Sequence, residues 1–196
     1  MKSGAWRILR LFYNEKNARI HLRDIARKAG LNENSASRFL GQMEKGGILA
    51  SEKDGNLKKY SLKKSDNVFV LLSVLDVERL SKLPSIRRNA ISYFLNALSE
   101  QPLFVLLFGS TAKGIYTKDS DIDLLLVINR RIKTEEAEKQ AEAQTAIRIS
   151  PIQITYKDFL KELKMKQDHV IQSALNTGYP LTNHIMYYGM YYNEAV

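Results

Sequence analysis

The tightest constraint on this chain lies in residues 103–128. Leu103-Phe-Val-Leu-Leu-Phe108 is apolar throughout and stops abruptly at Gly109-Ser110. Ten residues later Asp121 and Asp123 enter a second apolar run that continues to Ile128. A short unbroken apolar run ended by glycine is the pattern of a strand buried on both faces. In the second run the aspartates stand two apart. On a strand their carboxylates point to one face, while Ile122, Leu124 and Leu126 point to the other. Acidic side chains are poor strand formers, and two on one face repel each other. A bound cation removes that objection; a hairpin whose acids merely face water is the alternative.

Each part of the pattern has a chemical use. Mg²⁺ takes carboxylate oxygens together with substrate phosphates and keeps several waters. Gly109 permits close backbone approach, and Ser110 offers an N–H and a hydroxyl to phosphate oxygens where a helix begins. Lys113 is placed to neutralise charge developing on a pyrophosphate leaving group. The arrangement of Gly109-Ser110, ten residues, then Asp121-x-Asp123 resembles the DNA polymerase β-like nucleotidyltransferase superfamily, especially its minimal nucleotidyltransferase members. The likeness covers about residues 100–160.

The resemblance implies an α/β nucleotidyltransferase fold with a small mixed sheet, and in-line attack on an α-phosphate. It implies Asp121 and Asp123 as catalytic metal ligands and Gly109, Ser110 and Lys113 as nucleotide-binding residues. The implied cofactors are Mg²⁺ and ATP or another nucleoside triphosphate. Related minimal nucleotidyltransferases include antitoxins that adenylylate a partner toxin, so the implied reaction is AMP transfer to a macromolecular acceptor. Active members carry a third carboxylate on a later strand. The strand expected here is 152–156, with Ile152, Ile154 and Tyr156 inward and Gln153 and Thr155 toward the acids; Asp158 follows just beyond. Lacking that carboxylate, the chain has an alternative role, a DNA-binding regulator whose nucleotidyltransferase domain senses nucleotide and is catalytically weak or inactive.

Charge divides the chain. The net charge is +9, and residues 1–64 hold all of it, with 15 Lys/Arg against 6 Asp/Glu. Such segregation is the footprint of a polyanion partner; solubility alone is the bland alternative. Ala5, Ile8, Leu9, Leu11 and Phe12 predict a helix from Ser3 to Asn14. Leu22, Ile25, Ala26 and Ala29 predict a second, ended by Gly30. Asn32 caps a third from Glu33 to Lys45, with Ala36, Phe39, Leu40 and Met43 buried. Asp54-Gly55, between two extended runs, predicts a hairpin.

This order resembles the winged helix-turn-helix transcription regulators over about residues 3–64. The resemblance implies a third helix in the major groove, with Asn34, Ser35, Ser37 and Arg38 near bases and phosphates. It implies Lys53, Lys58 and Lys59 as wing contacts to phosphate. Such domains also serve as protein-interaction modules.

The expected fold class is therefore α+β in three segments: a DNA-binding domain at 1–64, a helical connector at 65–99 and a nucleotidyltransferase-like domain at 100–196. Within the connector, one helix runs from Val68 to about Lys82, and Pro84 opens another with Ile86, Ala90, Ile91, Phe94 and Leu98 inward. A charged helix is expected at 134–147. One amphipathic helix carries Phe159, Leu160, Leu163, Val170, Ile171, Ala174 and Leu175. Tyr187, Tyr188, Tyr191 and Tyr192, clustered with Met186 and Met190, mark a packed terminal helix; stacking on a base and a subunit contact are the alternatives. The chain has no cysteine, which excludes disulfides, Fe–S clusters and thiolate zinc. No signal-peptide pattern or membrane-length apolar run is present, so a cytoplasmic protein is expected. DNA, a nucleoside triphosphate, a protein acceptor such as a toxin, and a second copy of the chain are the expected partners.

Overall fold

The computed structural model describes residues 4–194. The chain divides into two compact units, Met1–Leu75 and Asp76–Val196.

In the first unit, helix α1 (Gly4–Asn14) buries Trp6, Ile8, Leu9, Phe12 and Tyr13 at helical spacing. Ser3, its expected first residue, lies outside the described residues. A short strand, β1 (Ile20–His21), leads into α2 (Leu22–Ala29), which stops at Gly30. Helix α3 (Glu33–Lys45) starts at Asn32, whose side-chain oxygen accepts the Ser35 N–H at 2.8 Å and so satisfies a donor the helix itself leaves open. Ala36, Leu40 and Met43 are buried on α3, whereas Phe39, expected among them, is half-buried at the stripe's edge.

Strands β2 (Leu49–Asp54) and β3 (Leu57–Leu62) form the expected hairpin, and β1 adds to the far side of β3, giving the order β1-β3-β2. β1 has only two residues, too few for any periodicity to show. Helix α4 follows (Asp66–Ser81), and the boundary between the units falls inside it.

The second unit is built on a four-stranded sheet in the order β6-β5-β4-β7. Helix α5 (Ser85–Ala97) precedes β4 (Phe104–Phe108), the one-turn α6 (Gly109–Lys113) and β5 (Ile122–Ile128). Then come α7 (Glu135–Thr145), β6 (Ile149–Thr155), α8 (Tyr156–Met165), α9 (His169–Thr177), β7 (Tyr179–Pro180) and α10 (His184–Glu194). β4 pairs antiparallel with β5 and β7, and β5 pairs parallel with β6, so the sheet is mixed.

One face, with Leu107, Leu124 and Leu126, shares a core with Ala90, Ile91 and Phe94 of α5 and Ala137 and Ala141 of α7. α5 is thus part of this unit's core. On the other face, the Phe104 ring meets Phe159 of α8 edge-on at 5.3 Å and Tyr187 of α10 at 5.7 Å, geometries favoured by the ring quadrupoles. Tyr188 is fully buried, and its hydroxyl donates to the Asp76 carboxylate at 2.9 and 3.0 Å. The terminal tyrosines therefore serve packing.

Three local expectations are corrected. Ile86 is 45% exposed, and Arg87 turns inward in its place. β6 starts three residues earlier than expected, and Tyr156 opens α8 instead of ending the strand. The single helix expected through Phe159 and Leu175 is two. α8 ends at Lys166 with φ 53°, and the Asp168 side chain caps α9 by accepting the N–H groups of Val170 and Ile171. An aspartate that bonds nearby backbone ends one helix as readily as it starts the next. Among the described residues no helix is long and apolar enough to cross a membrane.

Candidate active site

Phe108 pairs with Asp123 across β4 and β5, so the point where β4 ends lies beside the start of β5. There the chain turns through Gly109 at φ 68°, and a Cβ at this position would overlap the Asp123 carboxylate. Glycine is required twice, by the left-handed backbone and by the close approach. α6 then carries Ser110, half-buried, and ends at Lys113, whose side chain is exposed. Asp121 immediately precedes β5, and Asp123 is its second residue. Burial, then the charge of Asp121, pushes the Asp123 carboxyl above the ordinary aspartate value. A cation between the two would relieve both effects.

The parallel register with β6 decides what stands opposite. Asp123 pairs with Ser150, Leu126 with Gln153 and Ile128 with Thr155. Paired residues of parallel strands share a face, so Ser150 lies beside Asp123, and Gln153 and Thr155 are on the opposite face. The expectation that Gln153 and Thr155 face the acids is therefore overturned. Gln153 instead clasps the Ile132 backbone, donating to its carbonyl at 2.9 Å and accepting its N–H at 3.0 Å.

Asp158 also stands apart. It follows the Thr155 end of β6, five rows beyond the Asp123–Ser150 pair, or about 16 Å along the strand. Its carboxylate accepts the Thr155 hydroxyl at 2.6 Å and lies 3.4 Å from Lys161 Nζ. These two hydrogen bonds hold it below the usual carboxylate range. Among the described residues no group of three or more His, Asp or Glu is arranged to hold a metal ion.

Two arginines hold the surrounding loops. Arg87, 3% exposed, donates to Thr111 Oγ1 at 3.0 Å and to the carbonyls of Thr117 and Ser120 at 2.8 and 2.9 Å. Its guanidinium also covers the Tyr116 ring at 4.2 Å. It thereby fixes the loop that delivers Asp121. Arg79 donates to the Ala112 carbonyl at 2.9 Å and the Thr177 carbonyl at 3.1 Å. Sequence reasoning missed both. For Arg87 a signal existed: Leu83, Ala90, Ile91 and Phe94 form a helical stripe, and position 87 falls within it.

Arg148, just ahead of β6, was also missed. Its guanidinium lies 3.9 Å from the Asp121 carboxylate, and its carbonyl accepts the Ile122 N–H at 2.9 Å. A cleft of about 630 Å³ opens beside this pair, lined by Tyr116, Lys118, Glu142 and Ile147 among others.

In the first unit, Asn34, Ser37 and Arg38 are exposed on α3, and Ser35 is half-buried at its start. Lys53 is exposed on the hairpin. Lys58 lies 3.8 Å from Glu44, and Lys59 lies 2.7 Å from Asp54. The Lys59 hydrogen bond holds the Asp54 carboxyl below its ordinary value, with a smaller contribution from His21.

Comparison with known proteins finds a likeness for part of the chain. Residues 90–178 match the model of the family described as nucleotidyltransferase domain. The matched segment runs from α5 through α9 and includes Gly109, Ser110, Asp121 and Asp123, so this part of the chain is similar to nucleotidyltransferase domains. No curated protein and no solved structure matches the chain.

Proposed function

We propose that the second unit binds a nucleoside triphosphate, ATP in the first instance, with one Mg²⁺ on Asp121 and Asp123. It transfers a nucleotidyl group to a macromolecular acceptor. The observation that carries this reading is Gly109, held at φ 68° against the Asp123 carboxylate inside the segment that matches nucleotidyltransferase domains. Two carboxylates suit one Mg²⁺ that completes its shell with phosphate oxygens and waters. A bound Mg²⁺ supplies Lewis-acid polarisation of the phosphoryl group. Ser110 and Lys113 give the phosphates a hydroxyl and a positive charge, and the Arg87-braced loop keeps Asp121 in place. The acceptor suggested by the resemblance is a protein, such as the toxin of a toxin–antitoxin pair.

Ser150 favours a second reading. No carboxylate stands beside Asp123 on β6 to take a proton from an attacking hydroxyl. In that case the domain senses nucleotide, and the chain acts as a transcription regulator. In both readings the first unit is a winged helix-turn-helix that binds DNA through Asn34, Ser35, Ser37 and Arg38 on α3 and Lys53, Lys58 and Lys59 on the hairpin.

The test is transfer of label from α-³²P-ATP with Mg²⁺, in host lysate, by wild type and by the Asp121→Ala/Asp123→Ala double variant. Label on a discrete macromolecule with wild type alone is the expected result. Mg²⁺-dependent ATP binding without labelling selects the sensing reading, and absence of ATP binding by wild type overturns both.

A further inference from the structure

Arg148 and Ser150 alternate with Ile149, just as Asp121 and Asp123 alternate with Ile122, and the parallel register sets Ile149 against Ile122. The two pairs therefore form two adjacent rows on one face: Asp121 beside Arg148, then Asp123 beside Ser150. The position next to Asp123 is neutral, and the position next to Asp121 is cationic. Arg148 is held loosely. Its side chain is 68% exposed, and its ion pair to Asp121 spans 3.9 Å. An exposed pair of that length contributes little to stability and is released at little cost.

Charge balance gives this arrangement a use. One Mg²⁺ on two carboxylates sums to no net charge, so the several negative charges of a bound polyphosphate call for a further cation, which a guanidinium supplies. A guanidinium also presents a planar fork matched to two phosphate oxygens. Arg148 and Asp121 also border a cleft of about 630 Å³ on the side of α5 and α7, which Gly109, Ser110, Lys113 and Asp123 do not line.

We propose that Arg148 is a phosphate-binding residue. In the free protein it rests on Asp121, and when Mg²⁺ and a nucleoside triphosphate occupy the site it moves from that carboxylate to the polyphosphate. The chain then works with one metal ion and one arginine. This inference rests on the nucleotide-binding reading above.

The experiment is equilibrium binding by calorimetry on the full chain, with wild type, Arg148→Ala, Arg148→Lys and Asp123→Ala. The probes are Mg·ATP, Mg²⁺ with inorganic tripolyphosphate, and Mn²⁺ alone. Arg148→Ala is expected to weaken Mg·ATP and Mg·tripolyphosphate alike by about tenfold or more, with Arg148→Lys in between. The same Arg148→Ala variant is expected to bind Mn²⁺ alone more tightly than wild type, because the guanidinium no longer competes for Asp121. A merely structural role would not reverse sign between the two probes. Wild-type affinity for Mg·ATP in Arg148→Ala, with binding lost in Asp123→Ala, overturns the role of Arg148 and leaves the nucleotide site standing. Two Mn²⁺ per chain in the presence of ATP also overturns it. No Mg·ATP binding by wild type overturns both readings.

Discussion

At the scale of single residues, Gly109 and Asp123 depend on each other. Gly109 and Gly114 both have left-handed backbones, at φ 68° and 72°, but only Gly109 has a neighbour where a Cβ would stand. Gly114→Ala is expected to cost about 1 kcal/mol from backbone strain alone. Gly109→Ala adds overlap with the carboxylate and is expected to cost about 3 kcal/mol in chemical denaturation. Equal losses would mean that the contact with Asp123 is slack.

Asp123 itself opposes folding when ionised, since its carboxyl is raised above the ordinary value by burial and by Asp121. The sign follows from linkage: a raised folded-state pKa means the ionised form costs stability, and the cost vanishes as pH falls through that pKa. Asp123→Asn should therefore raise Tm at pH 7, and the gain should fade as the pH is lowered through the carboxylate range. Thermal melts across that range check it, and a gain that persists in acid counts against the mechanism. A destabilising carboxylate that the fold retains is characteristic of a functional site.

At the scale of elements, the register of β6 on β5 governs the site. A shift of one residue exchanges the two faces of a strand, and that is the difference between Gln153 and Ser150 beside the acids. Ser150→Asp is expected to place a third carboxylate next to Asp123 and to tighten Mn²⁺ binding about tenfold, measured by calorimetry. Gln153→Glu is expected to leave Mn²⁺ affinity unchanged and to lower Tm, because it replaces the amide donor bonded to the Ile132 carbonyl at 2.9 Å. The opposite ranking would mean that the strands pair in the other register. Apolar alternation alone does not choose between the registers here, because Ile149, Ile152 and Ile154 occur on both faces of β6.

At the scale of the whole molecule, the proposed binding of DNA by the positively charged residues 1–64 makes a prediction about salt. Each phosphate contact contributes about one unit to the slope of log K against log salt concentration for duplex DNA. Arg38→Ala and Lys53→Ala are each expected to lower that slope by about one unit. Lys58→Ala and Lys59→Ala are expected to lower it less, because Glu44 and Asp54 already lie against those ammonium groups. Binding titrations from low to moderate salt measure it, and equal effects at all four positions would show that the pairs open on binding.

The sequence by itself determined the elements whose cause is local. Asn32 capping α3, the Asp54-Gly55 hairpin, the buried run of β4 and the turn at Gly109 depend on near neighbours in the chain, so residue type and spacing reveal them. Asp121 and Asp123 were also legible, since two acids in an apolar strand need an external reason. Tertiary structure alone decided which residues from distant segments join them. Ser150 and Arg148 reach the acids through a strand pairing closed across helix α7, and Arg87 reaches the Asp121 loop from α5. Arg148 and Ser150, which find their partners only after the chain has folded, look in sequence like other solvated side chains, whereas Arg87 falls within an apolar helical stripe. The burial of Arg87 is tolerated because its distant partners satisfy it.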